Sequence, residues 1–360
     1  MYDLLLLSKT FTECEFITKL NLSNNTLKTI PGTIFSKLQF LISFDASHNA
    51  IKTLPRTLPK ASNLKICSFK GNQIKKCPPT LGNAFQIEYL DLSDNVITNL
   101  PKNIYNLRNE VNLSGNRIET LPVAKETKKI KLYVSKLNLA DNRICELPES
   151  IGELAQLESL DLSGNRLEEL PHEMMELRYG VGWKIVFYFI FFYSYRFFFK
   201  CKILRTFFPT SLHLSFLDIS KNKLRLLPEN FGVFAGYSLK TLNLSENVLE
   251  TLPPSFSNMI SAESIDLSKN SLKKLPPANT EDPKSRFGRD LKNLDLSKNQ
   301  LESAEGWFND KNSFTSLEKL NISTNLLPKL DEKSLGNMIN LRELDIRVAK
   351  PRGATFRGAE

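Results

Sequence analysis

Residues 156–171 read QLESLDLSGNRLEELP. The apolar residues Leu160 and Leu162 sit at alternate positions that a short strand turns to one side, while Ser159 and Asp161 face the other way, and Leu157 leads in three residues before Leu160. Asn165 then ends the strand. Its side-chain amide can bond backbone groups of adjacent turns of chain that would otherwise be buried unpaired. Leu170-Pro171 follows. Proline lacks an N–H and fixes φ, which suits a turn into a short return segment. In the preceding copy that return is residues 150–154, SIGEL, with two apolar positions of its own.

The same string recurs outward in both directions, as in residues 87–92, IEYLDL. Its asparagines are Asn25, Asn49, Asn72, Asn95, Asn116, Asn142, Asn165, Asn222, Asn247, Asn270, Asn299 and Asn325. Their separations run from 21 to 29 residues, apart from one of 57. A period in this range, with leucines at fixed offsets, is the signature of a stacked solenoid in which each copy buries its apolar face on the next. Some copies depart from the pattern. Residues 276–290, PPANTEDPKSRFGRD, are polar and Pro-containing, so a loop is expected to bulge there. Arg108 stands where an apolar residue is expected. A thirteenth strand is expected over 341–346, without a following Asn, and 350–360 is polar. Neither end shows a recognisable cap, so the chain is expected to be a fragment or an incomplete gene model.

The unit LxxLxLxxNxLxxLPxxIxxLxx, with residues 156–171 as a near-consensus copy, resembles the intracellular Ras-suppressor group of leucine-rich-repeat proteins. The resemblance covers about residues 15–347, apart from one stretch. It implies an α/β fold: a curved, right-handed horseshoe solenoid with parallel strands on the concave face and short helical or irregular segments on the convex face. It also implies a scaffold or adaptor that binds another protein, and it names no partner. The expected organisation is an N-terminal segment (1–14), repeats over 15–178, an insertion (179–212), repeats over 213–347 and a polar tail (348–360).

The insertion accounts for the 57-residue gap. Excising residues 179–212 joins Arg178 to His213, and Leu177 and Leu214 then match Leu154 and Leu157 of the preceding unit. The excised stretch holds 14 aromatics, five cations and no acid. It is expected to be a translated intron. The rivals are an interfacial aromatic-basic anchor, a membrane span and a family-specific loop. A span is disfavoured, because the longest uncharged run, 185–195, is far short of the ~20 residues a helix needs to cross a bilayer.

With 41% hydrophobic and 24% charged residues, a packed core is expected and global disorder is not. The net charge is +9, of which residues 179–212 supply five cations, and the remainder is too small to argue for nucleic acid. Cys14, Cys67, Cys77, Cys145 and Cys201 are scattered singly, which fits a reducing compartment and cytoplasmic location better than a disulfide framework. The N-terminal MYDLLLLSKT lacks the basic start and long apolar run of a secretory signal. His48, His172 and His213 lie in separate repeats without ligand spacing, so no metal is expected. No phosphate-loop, dinucleotide or hydrolase motif occurs, so neither cofactor nor catalysis is expected. Asp45, Asp91, Asp161, Asp218, Asp266, Asp295 and Asp345 share one repeat slot with several asparagines, and read as a surface row rather than acid–base pairs. Gly71, Gly115 and Gly164, just before the repeat Asn, read as turn residues rather than a phosphate cradle.

Function is therefore expected from the variable positions of the concave face. The candidate partner-binding residues are Tyr89, Asp94, Lys136, Asp141, Phe216, Lys221, Glu246, Lys269 and Lys298. Tyr89 and Phe216 are the natural anchors, since exposed rings enrich at hot spots. Two alternatives to an intracellular adaptor stay open: a truncated receptor or adhesion ectodomain, and the regulatory part of a larger enzyme.

Overall fold

The computed structural model describes residues 14, 16–123, 133–154, 156–171, 214–232, 238–277, 287–303, 307–308, 314–327 and 338–347. These fall into two compact units, one carrying the first seven strands and the other carrying residues 167–170 and six further strands. Residues 179–212, most of the 276–290 loop and the tail from 348 lie outside the described residues, together with the expectations attached to them.

In the first unit the strands are β1 (Lys19–Asn21), β2 (Ser43–Asp45), β3 (Ile66–Ser68), β4 (Tyr89–Asp91), β5 (Asn109–Asn112), β6 (Val134–Asn138) and β7 (Ser159–Asp161). Each pairs in parallel with the next. The second unit contains β8 (Phe216–Asp218), β9 (Thr241–Asn243), β10 (Ser264–Asp266), β11 (Asn293–Asp295), β12 (Lys319–Asn321) and β13 (Glu343–Asp345), again parallel and in chain order. This is a leucine-rich-repeat solenoid: short strands on one side, little helix on the other. Among the described residues, return segments include short 3-10 stretches such as Leu58–Lys60, Ile104–Asn106 and Glu149–Glu153, and a five-residue helix, α1 (Thr33–Lys37).

The leucines behave as the pattern requires. Leu157, Leu160, Leu162 and Leu167 are buried, and the return segment adds Ile151 and Leu154. Fully burying a side chain of this size is worth roughly 1.5–3 kcal/mol. Aromatic rings fill the return side. Phe35, Phe44 and Phe69 contact in series in the first unit, at 5.0 and 5.5 Å between centroids. In the second unit Trp307 lies 4.4 Å from Phe287 and 5.7 Å from Phe256. Phe287 is thus where the long 276–290 connection rejoins the core.

The repeat asparagines carry the polar half of the fold. Asn165 Nδ2 donates to Leu139 O one coil back, and to Leu162 O and Ser163 O in its own turn. Its Oδ1 accepts the Ile144 N–H of the preceding coil at 3.0 Å. Asn95 makes the same set with Phe69 O, Leu92 O, Ser93 O and Ile74 N–H. One buried amide thus bonds four backbone groups of two adjacent coils.

Two irregularities trace to sequence. At β5 the register shifts between Asn109 and Glu110, and Asn109 takes a left-handed φ of 58°. The anomalous Arg108 is exposed there, with its guanidinium 5.2 Å from the Tyr133 ring centre. At β13 the core positions Leu344 and Ile346 are 41% and 49% exposed, against 2% and 3% for Leu320 and Ile322 one coil earlier.

Candidate binding surface

The strand sides of both units expose side chains in rows, one residue per coil. The third residue of the LxxLxL string opens each strand except β5 and β6, which start earlier. In the first unit this row runs Ile66, Tyr89, Glu110, Lys136, in register on β3 to β6. Tyr89 is half-buried, and its hydroxyl donates to Asp91 Oδ2 at 3.4 Å. Burial, with the nearby carboxylates of Asp91 and Glu110, raises its pKa. Lys136 Nζ lies 3.9 Å from Glu110. In the second unit the row starts at Phe216, also half-buried, and continues with Thr241, Ser264 and Asn293.

The other six candidate residues sit in a different place. Asp94, Asp141, Lys221, Glu246, Lys269 and Lys298 occupy the turn position just before the repeat Asn, all with φ between 52° and 55°. This left-handed conformation is easiest for glycine, and Gly71, Gly115 and Gly164 fill the same slot at 64–65°. In the first unit the row starts at Asn24 and from His48 on alternates large and small: His48, Gly71, Asp94, Gly115, Asp141, Gly164. A Cβ on Gly71 would meet His48 Nδ1 at 2.7 Å, and one on Gly115 would meet Asp94 Oδ1 at 2.5 Å. Each large side chain therefore leans over the glycine of the next coil. The second unit has no glycine in this row and resolves the crowding with charge. Lys269 Nζ bonds Glu246 Oε1 at 2.8 Å, holding the Glu246 carboxyl below its ordinary pKa, with Lys221 and Lys298 adding to the effect. The structure thus brings Lys221, Glu246, Lys269 and Lys298 together, and Tyr89 with Lys136 through Glu110. It places Asp94 instead beside Lys70, at 3.5 Å.

The carboxylate row ends each strand and is less exposed than its polarity suggests. Asp91 is buried and Asp45, Asp161, Asp218, Asp266 and Asp295 are half-buried. Each accepts the backbone N–H two residues on, as Asp91 Oδ1 does from Ser93 at 2.9 Å. Asn243 and Asn321 donate to Asp218 and Asp295 at 2.9 and 3.0 Å. Asp266 and Asp295 are direct neighbours. Burial first, and then Asp295 and Asp218, push the Asp266 pKa up. This row is a structural ladder.

Two features are absent from the candidate set. Ile66, an apolar residue in a mostly polar row, is 47% exposed beside Tyr89. Its signal was available, since it shares the strand slot of Tyr89 and Phe216. The second is an alternating charge ladder at the preceding slot of the second unit. Glu263 bridges Lys240 at 3.2 Å and Lys292 at 2.8 Å, and Glu318 lies 3.9 Å from Arg342. Exposed pairs of this kind are worth little individually. They do neutralise that edge of the surface.

Cys67 and Cys77 are buried apart, and burial raises both thiols, Cys77 to about 12. Among the described residues no cluster could hold a metal ion, and no helix is long and apolar enough to cross a membrane.

Residues 16–38, 86–107, 156–177 and 238–259 match the Leucine Rich Repeat family model. Over 93 residues the chain is 32% identical to the Mus musculus leucine-rich repeat and calponin homology domain-containing protein 1, a match covering 25% of this chain and 13% of that protein. The chain therefore spans a small part of the curated relative it matches. Among solved structures, an LRR protein of Leptospira interrogans aligns with a TM-score of 0.61 at 22% identity, over 95% of this chain and 87% of that one. An internalin of Listeria monocytogenes gives 0.65 at 16% identity, over 94% and 84%. At such identities the likeness is one of fold. Solenoids of this kind are generally protein-interaction scaffolds, and typically not enzymes. With its Asn ladder, stacked strands and matching repeats, the chain is a leucine-rich-repeat protein.

Proposed function

We propose that this chain is a cytoplasmic adaptor in intracellular signalling, and that its protein partner docks on the exposed strand side. One observation carries the reading. The described backbone is bonded largely within the solenoid, and most of the described leucines are consumed by the core, Leu226, Leu326 and Leu344 being exposed. The chemistry left on offer is the set of rows at the strand openings and left-handed turns. The proposed anchors are Tyr89 and Phe216, half-buried rings with a face to solvent. Lys221, Lys269 and Lys298 around Glu246 would supply charge selectivity, since rim charges govern on-rate and specificity more than affinity. Dispersed cysteines and the Ras-suppressor resemblance support the cytoplasmic assignment. We also propose that residues 15–178 and 213–347 make the repeat array, with 179–212 interposed.

The test is affinity capture from cytosol with the full chain as bait, followed by binding measurements on the recovered partner. Tyr89→Ala and Phe216→Ala should each weaken binding while circular dichroism stays unchanged. Undiminished binding in both variants would remove the strand side from consideration.

A further inference from the structure

The net charge of this protein is concentrated. Residues 16–87 contain ten Lys or Arg and a single acid, Asp45, giving +9, the net charge of the whole chain. Within the first three coils two groups of lysines stand apart from Lys19 on β1 and from Lys37 and Lys60 on the return segments. On the strand side, Lys65 and Lys70 are compensated by Glu88 at 2.7 Å and Asp94 at 3.5 Å. On the flank that follows the Asn turn, Lys28, Lys52, Lys75 and Lys76 are exposed, and none has an ion-pair partner among the described residues.

This flank is ordered. Lys28, Lys52 and Lys75 each stand three residues after a repeat Asn, so they recur once per coil. The Lys52 N–H donates to Lys28 O, and the Thr98 N–H of the fourth coil to Lys75 O, which fixes the row along the solenoid axis. Successive backbones in such a row are about 4.8 Å apart. The same slot then becomes Thr98 and Glu119, so the lysines are a property of these coils and not of the repeat. The row ends at an open depression of about 460 Å³ lined by Lys76, Cys77, Pro79, Asn99, Pro101 and Lys102.

We propose that this lysine flank of the first three coils is a docking surface for an acidic polypeptide segment, distinct from the strand-side surface. Three uncompensated cations in a ~5 Å row, with Lys76 beside the last of them, repel one another. Carboxylates spaced along a peptide relieve that repulsion. The depression beside Lys76 and Lys102 receives a partner side chain. Polypeptide is favoured over nucleic acid on two grounds. The row contains no exposed aromatic on which a base could stack, and its cations are lysines, which lack the planar fork that reads phosphate and base edges bidentately. A lipid surface is disfavoured because the row exposes no apolar side chain to insert, and four lysines alone give only ~1 kcal/mol each near an anionic leaflet.

The experiment titrates the full chain with a labelled poly-glutamate peptide, with labelled poly-uridine RNA, and with phosphatidylserine vesicles. The expected result is saturable, salt-sensitive peptide binding that is tighter than binding of either competitor. Lys28→Glu/Lys52→Glu/Lys75→Glu should reduce peptide affinity by about tenfold or more, since each reversal both removes an attraction and adds a repulsion. Lys28→Gln/Lys52→Gln/Lys75→Gln should fall between the two, and Lys240→Glu should leave it unchanged. Thermal unfolding of each variant shows that the fold is retained, as these side chains are exposed. The proposal is overturned if the triple reversal binds the peptide as the wild type does, or if the RNA or the vesicles bind more tightly than the peptide.

Discussion

Asn222 Oδ1 accepts the backbone N–H of Leu167 at 2.9 Å, across 55 residues of chain. Asn165 makes the same bond to Ile144 at 3.0 Å, across 21. The ladder treats the chain on either side of the long gap as one ordinary repeat step. A second bond of the same kind, Lys223 N–H to Leu167 O at 2.8 Å, supports it.

Deleting residues 179–212 should therefore leave a folded protein with an equal or higher thermal midpoint and a better soluble yield, because a stretch so rich in aromatics and free of acids promotes association. Paired calorimetry and expression of the two chains check this. A lower midpoint for the deletion would make the segment an integral part of the fold.

Leu160 is fully buried on β7. Leu160→Ala should cost about 2–5 kcal/mol, the usual range for truncating a core leucine, as read from urea midpoints at constant slope.

Asn95→Ala should be harmful for a different reason. It leaves the buried Ile74 N–H without its acceptor, while the carbonyls of Phe69, Leu92 and Ser93 keep a donor each in Asn72, Asn116 and the Gly71 N–H. The orphaned N–H costs about 1–3 kcal/mol unless water replaces the amide. Local loosening should appear as faster amide exchange at Ile74.

Asp266→Asn should stabilise the protein at neutral pH. Its folded-state pKa is raised, chiefly by burial and then by Asp295 and Asp218. The folded state thus favours the protonated form, whose stability is fully present below the ordinary value of 3.8 and is lost as pH rises through the folded pKa. The amide keeps an acceptor for the Ser268 N–H, now 2.8 Å from Asp266 Oδ1. The gain in urea midpoint should shrink as pH is lowered through the folded pKa toward 3.8, and a gain independent of pH would show that the charge is not its source.

Lys221→Glu/Lys269→Glu/Lys298→Glu should weaken the partner of the strand side without unfolding the second unit. It should also release Glu246 from its Lys269 bond and raise its carboxyl pKa toward the ordinary value, measurable by NMR titration.

Much of this was legible from sequence because the repeat fixes geometry through few residue types. Leucines at the LxxLxL offsets and one Asn per coil suffice to predict the strands, the turns and the buried amide. The return side was less legible: Phe287 meeting Trp307 follows from no local period, since the ring arrives from a long irregular connection. The candidate surface was legible only as positions. Asp94 and Lys269 share a slot, yet one faces Lys70 and the other Glu246, and the difference lies in neighbouring coils. Averaged net charge hid the lysine flank, because acidic stretches elsewhere offset the excess in the first three coils.

The alternation along the left-handed row of the first unit has an evolutionary consequence. His48 leans over Gly71, and Asp94 over Gly115, so a side chain gained at either glycine meets the tip of its neighbour. A side chain gained at Gly115 is easiest once Asp94 has swung away or shrunk, and the reverse order passes through a crowded intermediate. Substitutions in this row should thus accumulate as coupled swaps between adjacent coils. The row in the second unit, linked by charge instead of volume, is free to exchange lysine for glutamate one residue at a time.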